Sequence, residues 1–398
     1  MQTTCIIGGG PAGVMLGLLL ARAGLPVTVL EKHQDFFRDF RGDTIHPSTL
    51  ELMYELGLLD RLLEIRHTKI DHIAAMVGGE KFEIGDFTHL PTHAKFIALM
   101  PQWDLLNFLS AEASRYPSFT LRLGWEATGL IEENEITGVR CNTPDGAQEI
   151  RAGLVVGCDG RHAMSREAAH LPLVEEGVPI DVLWFRIPRQ PSDPEIGVGY
   201  VNYGRLIVLI NRIDYFQTAY IIAKGGFDQI KQEGLDKFRA NLERIVPFLA
   251  GRTAEIDSWD KVKLLSVQIN HLARWSRPGL ICIGDAAHAM SPVGGIGINI
   301  AVQDAVATAN LLTEPLRTGT LTPEHLEQVQ RYREEAVHNT QRVQIVAHRV
   351  LNRVLQNPGP IKPALMLRIA TKLPHFQPLA ARFVGMGLQP EHIQTKPA

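Results

Sequence analysis

Three things are scarce in this 398-residue sequence: cysteine, a charge bias, and long apolar runs. Its four cysteines, Cys5, Cys141, Cys158 and Cys282, stand apart with no C-x-x-C spacing, which argues against a zinc site or a disulfide framework. A reduced, cytoplasmic setting is expected. With 40 Lys and Arg against 43 Asp and Glu, the formal charge is −3. Counterion release on nucleic acid needs a dense cationic surface, which this composition does not supply overall. No stretch approaches about 18 uninterrupted apolar residues, so no membrane-spanning helix and no stable membrane insertion is expected. The first 30 residues are apolar, but Met1-Gln2-Thr3-Thr4 has no basic lead-in and glycines interrupt the run, so it reads as domain interior.

What is present is 45% hydrophobic residues, enough for a large core in two or three domains. Thr4 to Ile7 is a β-branched run entering Gly8-Gly9-Gly10-Pro11-Ala12-Gly13, and Val14 to Ala23 then reads as a helix closed by Gly24. Leu25 to Leu30 resumes as a strand ending at Glu31 and Lys32. Each glycine has a mechanical reason: Gly8 for a tight turn, Gly10 for close backbone approach to a pyrophosphate, Gly13 for helix against strand. The helix start offers unpaired N–H groups to phosphate, and Glu31 suits a ribose diol. This motif alone leaves FAD and NAD both open.

Two later segments narrow the choice. Leu154 to Cys158 is a buried-strand pattern running into Asp159-Gly160-Arg161-His162, and Leu280 to Ile283 is another, running into Gly284-Asp285. Ser291-Pro292-Val293-Gly294-Gly295-Ile296-Gly297-Ile298-Asn299 follows, ahead of an alanine-rich helix through Leu312. An Asp at a strand end suits a polyol, and a glycine loop before a helix suits an anionic ring edge.

Together these residues resemble the three fingerprints of the FAD-dependent aromatic hydroxylases, single-component flavoprotein monooxygenases of the para-hydroxybenzoate hydroxylase fold. Arg41, with Gly42, Asp43 and His46, resembles that family's arginine loop near the flavin. Gln102 resembles its cofactor-contacting Arg/Gln position. One departure is Ala163, where the family's Asp-Gly-x-x-Ser pattern has serine; Ser165 comes two residues later. The resemblance implies an α/β chain: a FAD-binding Rossmann-like (GR2-type) domain from residues 1–70, 96–177 and 268–320, an interleaved β-sheet substrate domain from 71–95 and 178–267, and C-terminal helices from 321–398. It also implies NADPH or NADH as reductant, O2 as co-substrate, and hydroxylation of an aromatic or polycyclic small molecule through a flavin C4a-hydroperoxide. An oxidase, dehydrogenase or epoxidase of the same fold is the alternative; a halogenase would carry a W-x-W-x-I-P segment, which is lacking. A monomer or homodimer is expected.

The substrate region contains strand patterns at Ile180 to Ile187, Ile196 to Tyr203, Leu206 to Ile210 and Tyr215 to Ile222, then a helix near Phe227 to Leu249. Alternation puts Tyr215, Gln217 and Ala219 on one face of the last strand and Phe216, Thr218 and Tyr220 on the other. Tyr215 and Gln217 are the favoured substrate contacts, because a buried Gln needs a polar partner; Tyr200 and Tyr203 are further candidates. Arg41, His46, Gln217 and Pro292 are the candidates for the chemistry, His46, with His72 and His93, because imidazole titrates near the working pH. His288 is expected to fix its loop. At the C-terminus, Thr322-Pro323-Glu324 reads as a helix start. The helix should carry Val343, Val346, Ala347, Val350 and Val354 on one face and stop before Pro358. The remainder alternates apolar patches with Arg and Lys, as a clasp across the lobes or as a basic amphipathic contact with membrane or lipophilic substrate.

Overall fold

The computed structural model describes residues 2–37, 44–194 and 198–398; Arg41 lies outside them. Thr4–Ile7, fully buried, becomes the centre of a six-stranded sheet because its β-branched side chains pack on both faces. The order is Ser276–Arg277, Leu280–Cys282, Leu154–Gly157, Thr4–Ile7, Val27–Glu31, Phe119–Leu123. All neighbours run parallel except the first pair. Ile7 aligns with Gly157 and Leu30, and Gly157 with Cys282. The three glycine motifs, far apart in sequence, thus leave adjacent strands at one edge of the sheet. The Pro11–Arg22 and Gly297–Thr318 helices pack against each other beside it.

A second sheet of seven strands runs in the order Lys263–Leu265, Ile180–Pro188, Tyr215–Ala223, Arg205–Asn211, Val198–Asn202, His72–Val77, Glu80–Asp86. One face buries Leu183, Phe185, Phe216 and Tyr220 against Phe238 and Leu242. The helix expected over Phe227 to Leu249 is instead two, Phe227–Glu233 and Leu235–Ile245, followed by a single 3-10 turn at Pro247–Leu249. Gly234 breaks it, at φ 95° and ψ 153°, a conformation open essentially to glycine alone.

The Pro323–Leu355 helix starts at Thr322, whose N–H donates to His325 Nδ1 at 3.1 Å. Its buried stripe is Val329, Arg333, Val337, Gln341, Gln344 and His348. Val343, Val346 and Val350 share one face of the helix and point to solvent, because the inward stripe is taken by polar side chains that hold other loops. The last residues return along the body, with Arg22 Nη1 donating to the Thr395 carbonyl at 2.8 Å. Among the described residues no helix is long and apolar enough to cross a membrane.

Candidate cofactor and active site

Gly8 sits at φ 106°, and a Cβ there would meet the Cys158 carbonyl oxygen at 2.4 Å, so the first and second motif loops are pressed together. A Cβ on Gly13 would lie 2.0 Å from the Gly8 carbonyl oxygen. Gly10, which caps the Pro11 helix, differs: the nearest atom to its Cβ position is 4.0 Å away. The space over Gly10 is open in front of a helix N-terminus, as a pyrophosphate requires. Glu31 Oε2 accepts the Gly9 N–H at 3.1 Å and Oε1 the His33 N–H at 3.0 Å, which holds the acidic end of the second strand against the glycine loop. Lys32 is exposed beside it. These are the features that FAD would need, and the residues present fit it.

Asp159 is half-buried, and the desolvation of its carboxylate raises its pKa. Its Oδ1 accepts from Ser165 Oγ at 2.6 Å and its Oδ2 from the Ser165 N–H at 2.9 Å. The missing serine at position 163 is therefore compensated from the first turn of the Met164–Ala168 helix. Ser165→Ala is expected to cost about 1–2 kcal/mol, because it strips a hydrogen bond from a half-buried carboxylate. A urea titration of the variant, alongside FAD titration by fluorescence quenching, checks this; unchanged values in both would remove Ser165 from the site. The second and third motifs are tied directly, with Arg161 Nε donating to Asp285 Oδ2 at 3.1 Å. Gly160 carries open space at its Cβ position, as does Gly297.

The loop from Ser291 to Asn299 is held from several sides. Gln344 accepts the Ser291 N–H at 3.0 Å and donates to the carbonyls of Ser291 and Val293, while Ser291 Oγ meets His348 Nε2 at 2.7 Å. Burial pushes His348 below its ordinary pKa, so this contact is one of a neutral ring. Pro292 opens the turn, its carbonyl accepting from the Gly295 N–H at 3.0 Å. Gly294 adopts φ 85° in the middle of it. Gly297, Ile298 and Asn299 form the first turn of the next helix, and their N–H groups point back toward this loop. Asn299 Oδ1 accepts from the His46 N–H at 3.0 Å and from Thr49 Oγ1 at 2.7 Å.

Behind the Gly-Asp motif lies a buried ionic chain that the sequence did not announce. The Gly284 N–H donates to Asp304 Oδ2 at 3.0 Å, and His288 Nε2 meets the same oxygen at 2.6 Å. Arg333 Nε donates to Asp304 Oδ1 at 3.1 Å, and its Nη1 to Glu391 Oε1 at 2.7 Å. His288 thus fixes its loop through Asp304. The available signal was a charged residue in the middle of an alanine-rich apolar helix. Gln344 and His348 carried no comparable signal.

His46 is fully buried, and burial pushes its pKa down to about 4. The expectation of an imidazole titrating near the working pH is corrected: the ring is neutral, and Nδ1 donates to the Val384 carbonyl at 2.7 Å. An unfolded histidine titrates near 6.5, so this burial stabilises fully above that pH and its contribution is lost as pH falls from 6.5 toward 4. The loss is expected to reach about 2 kcal/mol at pH 5. Urea denaturation at pH 7.5 and pH 5 measures it, and His46→Asn should flatten that difference. His72 and His93 are surface groups paired with Asp71 and Glu51.

On the seven-stranded sheet, Gln217 is buried and accepts from Arg212 Nε at 3.2 Å, and the Arg186 guanidinium lies 4.9 Å over the Tyr215 ring. Gln217 shares its face with Ala219, in the cluster that Val293 of the Pro292 loop joins. Tyr200 and Tyr203 are on the opposite, helix-covered face, Tyr200 near Phe248 and Tyr203 under Arg244. Strand parity removes Tyr200 from the side that Gln217 occupies, and Tyr203, in the turn after that strand at φ 50°, packs with the same helix-side cluster. Gln102 opens the Gln102–Ala113 helix, half-buried, and its amide makes no hydrogen bond among the described residues.

A largely parallel sheet with three glycine loops converging at one edge, joined to a mixed, mostly antiparallel sheet that faces the third loop, defines a flavoprotein of the two-lobed hydroxylase type. Residues 1–344 match the family described as FAD binding domain, and the chain belongs to that family. It is 31% identical over 350 residues to 6-methylpretetramide 4-monooxygenase from Streptomyces rimosus, covering 87% of this chain and 84% of that one. It is 27% identical to dialkyldecalin synthase from Streptomyces rugosporus, over 77% of this chain and 64% of that one. Among solved structures, a probable FAD-dependent monooxygenase from Pseudomonas aeruginosa superposes with a TM-score of 0.76 at 21% identity, covering 90% of this chain and 99% of that one.

Proposed function

We propose that this protein is a FAD-dependent monooxygenase that consumes NADPH or NADH and O2 to hydroxylate an aromatic or polycyclic small molecule. The observation that carries the reading is the meeting of the Gly10, Asp159 and Gly284–Asp285 loops at one sheet edge, with the Gln217 face of the second sheet set against the Pro292 loop. The likeness to a monooxygenase named for a polycyclic substrate supports it. FAD, when bound, supplies the redox chemistry with O2, and the protein supplies binding, orientation and shielding from water.

In this reading the Gly10–Gly13 turn and the Pro11 helix receive the pyrophosphate, and Glu31 receives the adenosine ribose. Asp159 and Asp285, each braced by a neighbour, meet the cofactor's polyol. The N–H groups of Gly297, Ile298 and Asn299 favour negative charge on the ring edge. Gln217, oriented by Arg212, and Tyr215 contact the substrate from residues 71–95 and 178–267, and residues 1–70, 96–177 and 268–320 carry the cofactor. Four free, buried cysteines support a reduced, cytoplasmic setting.

The test is turnover of the FAD-reconstituted protein with NADPH and NADH over a panel of phenols and polycyclic phenols under ¹⁸O2. Incorporation of one labelled oxygen into product is the expected result. Oxidised product without label would assign an oxidase or dehydrogenase instead, and failure to bind FAD would overturn the whole reading.

A further inference from the structure

The C-terminal quarter contains a surface whose chemistry differs from the rest of the molecule. Between residues 336 and 390 the sequence has seven Arg or Lys and no Asp or Glu, in a chain whose formal charge is −3. The same stretch carries most of the large apolar side chains that stand in solvent. Its centre is the Leu365–Ala370 helix, which buries none of its residues. Leu365 is 72% exposed and Met366 82%, with Ile369, Leu373 and Leu379 also more than half exposed. Lys362, Lys372 and Arg382 are exposed around them and make no ion pair among the described residues, whereas Arg368 is paired with Glu80 at 2.5 Å.

We propose that this face docks the protein on an anionic lipid bilayer, with Leu365, Met366, Ile369 and Leu373 entering the headgroup boundary and Lys362, Lys372 and Arg382 meeting lipid phosphates. The combination of projecting aliphatic side chains with unpaired cations is that of an interfacial anchor. Protein interfaces are instead enriched in aromatics and depleted in lysine; the exposed apolar groups here are Leu, Met and Ile, with lysines among them. A two-fold dimer would set this patch against its own copy and bring its unpaired cations together without anions. Among the described residues no helix is long and apolar enough to cross a membrane, and the contact proposed is one at the bilayer surface. This inference uses residues apart from the cofactor loops and goes beyond the proposed reaction.

Co-sedimentation of the full chain with vesicles tests it. The FAD-reconstituted protein should pellet with vesicles of equal parts phosphatidylglycerol and phosphatidylcholine, at least about tenfold more tightly than with phosphatidylcholine alone, and should release at high salt. Each cation near an anionic surface contributes about a fivefold factor, so Lys362→Glu with Lys372→Glu should weaken binding by more than about twentyfold. Leu365→Ser with Met366→Ser should weaken it by about tenfold at unchanged charge. These side chains are solvent-exposed, so the variants should fold and retain FAD as the parent does. No pelleting with the anionic vesicles, or pelleting that both double variants leave unchanged, would overturn the proposal. So would light scattering that shows a dimer which these same substitutions dissociate.

Discussion

Gly10→Ala is expected to leave the protein folded and to weaken FAD binding by on the order of 100-fold, about 2.7 kcal/mol, whereas Gly13→Ala should damage the fold itself. The two positions lie three residues apart in one turn, and the difference is spatial. At Gly10 a methyl group meets no protein atom closer than 4.0 Å, so it occupies only the space where a pyrophosphate must approach the backbone. At Gly13 the methyl would stand 2.0 Å from the Gly8 carbonyl oxygen. That neighbour is backbone and cannot swing aside, so helix and strand must separate at a cost of about 1–3 kcal/mol or more. Urea unfolding with and without FAD distinguishes the cases: Gly10→Ala should match the parent without cofactor and lose the stabilisation that FAD adds. An apoprotein of Gly10→Ala as unstable as Gly13→Ala would show that the space over Gly10 is not reserved for a ligand.

Arg333→Met is expected to destabilise the protein by about 3–5 kcal/mol, the cost of leaving buried charge without its partner. Arg333 is fully buried and joins three distant parts of the chain: Asp304 in the Gly297–Thr318 helix, Glu391 in the tail, and the Gly284 loop through Asp304. Removing it leaves Glu391 with the Tyr332 hydroxyl alone and Asp304 with His288 and one backbone N–H. FAD affinity should fall with stability, because Gly284 is oriented by the same carboxylate. Burial alone would raise the Asp304 pKa, but His288 and Arg333 hold it below the ordinary 3.8. Its ionised form therefore contributes fully above about pH 4, and that contribution is lost as pH falls through the lower folded value. Thermal melts at pH 7 and pH 3.5 should show Arg333→Met giving up much of its difference from the parent at the acid end. An unchanged melting temperature at pH 7 would mean that the buried chain carries no stability.

Much of the cofactor lobe was legible in residue order because each motif is a local demand on the backbone. A β-branched run, a glycine that must turn or be approached, and a helix start need only their neighbours, and the strands before and the helices after Gly8, Asp159 and Gly284 formed where that logic puts them. The long helix from Pro323 was legible for the same reason, through its first turn. Parity along Tyr215 to Tyr220 was legible too, as two faces.

Which face looks where was not. Alternation separates Gln217 from Phe216 but cannot say that Phe248 waits on the side of Tyr200, because that contact comes from a helix some fifty residues further on in the chain. The valines of the Pro323 helix show the same limit: helical spacing puts them on one face without saying which way it looks, and the inward stripe belongs to Arg333, Gln344 and His348. Their burial is tolerable only because Asp304, Ser291 and Glu391 arrive from elsewhere to pair with them. By itself, then, the sequence determined the turns, the strands and the class of ligand. The tertiary structure alone decided which polar groups are buried as partners and which apolar ones are left at the surface, since burial is settled by what a side chain meets across space.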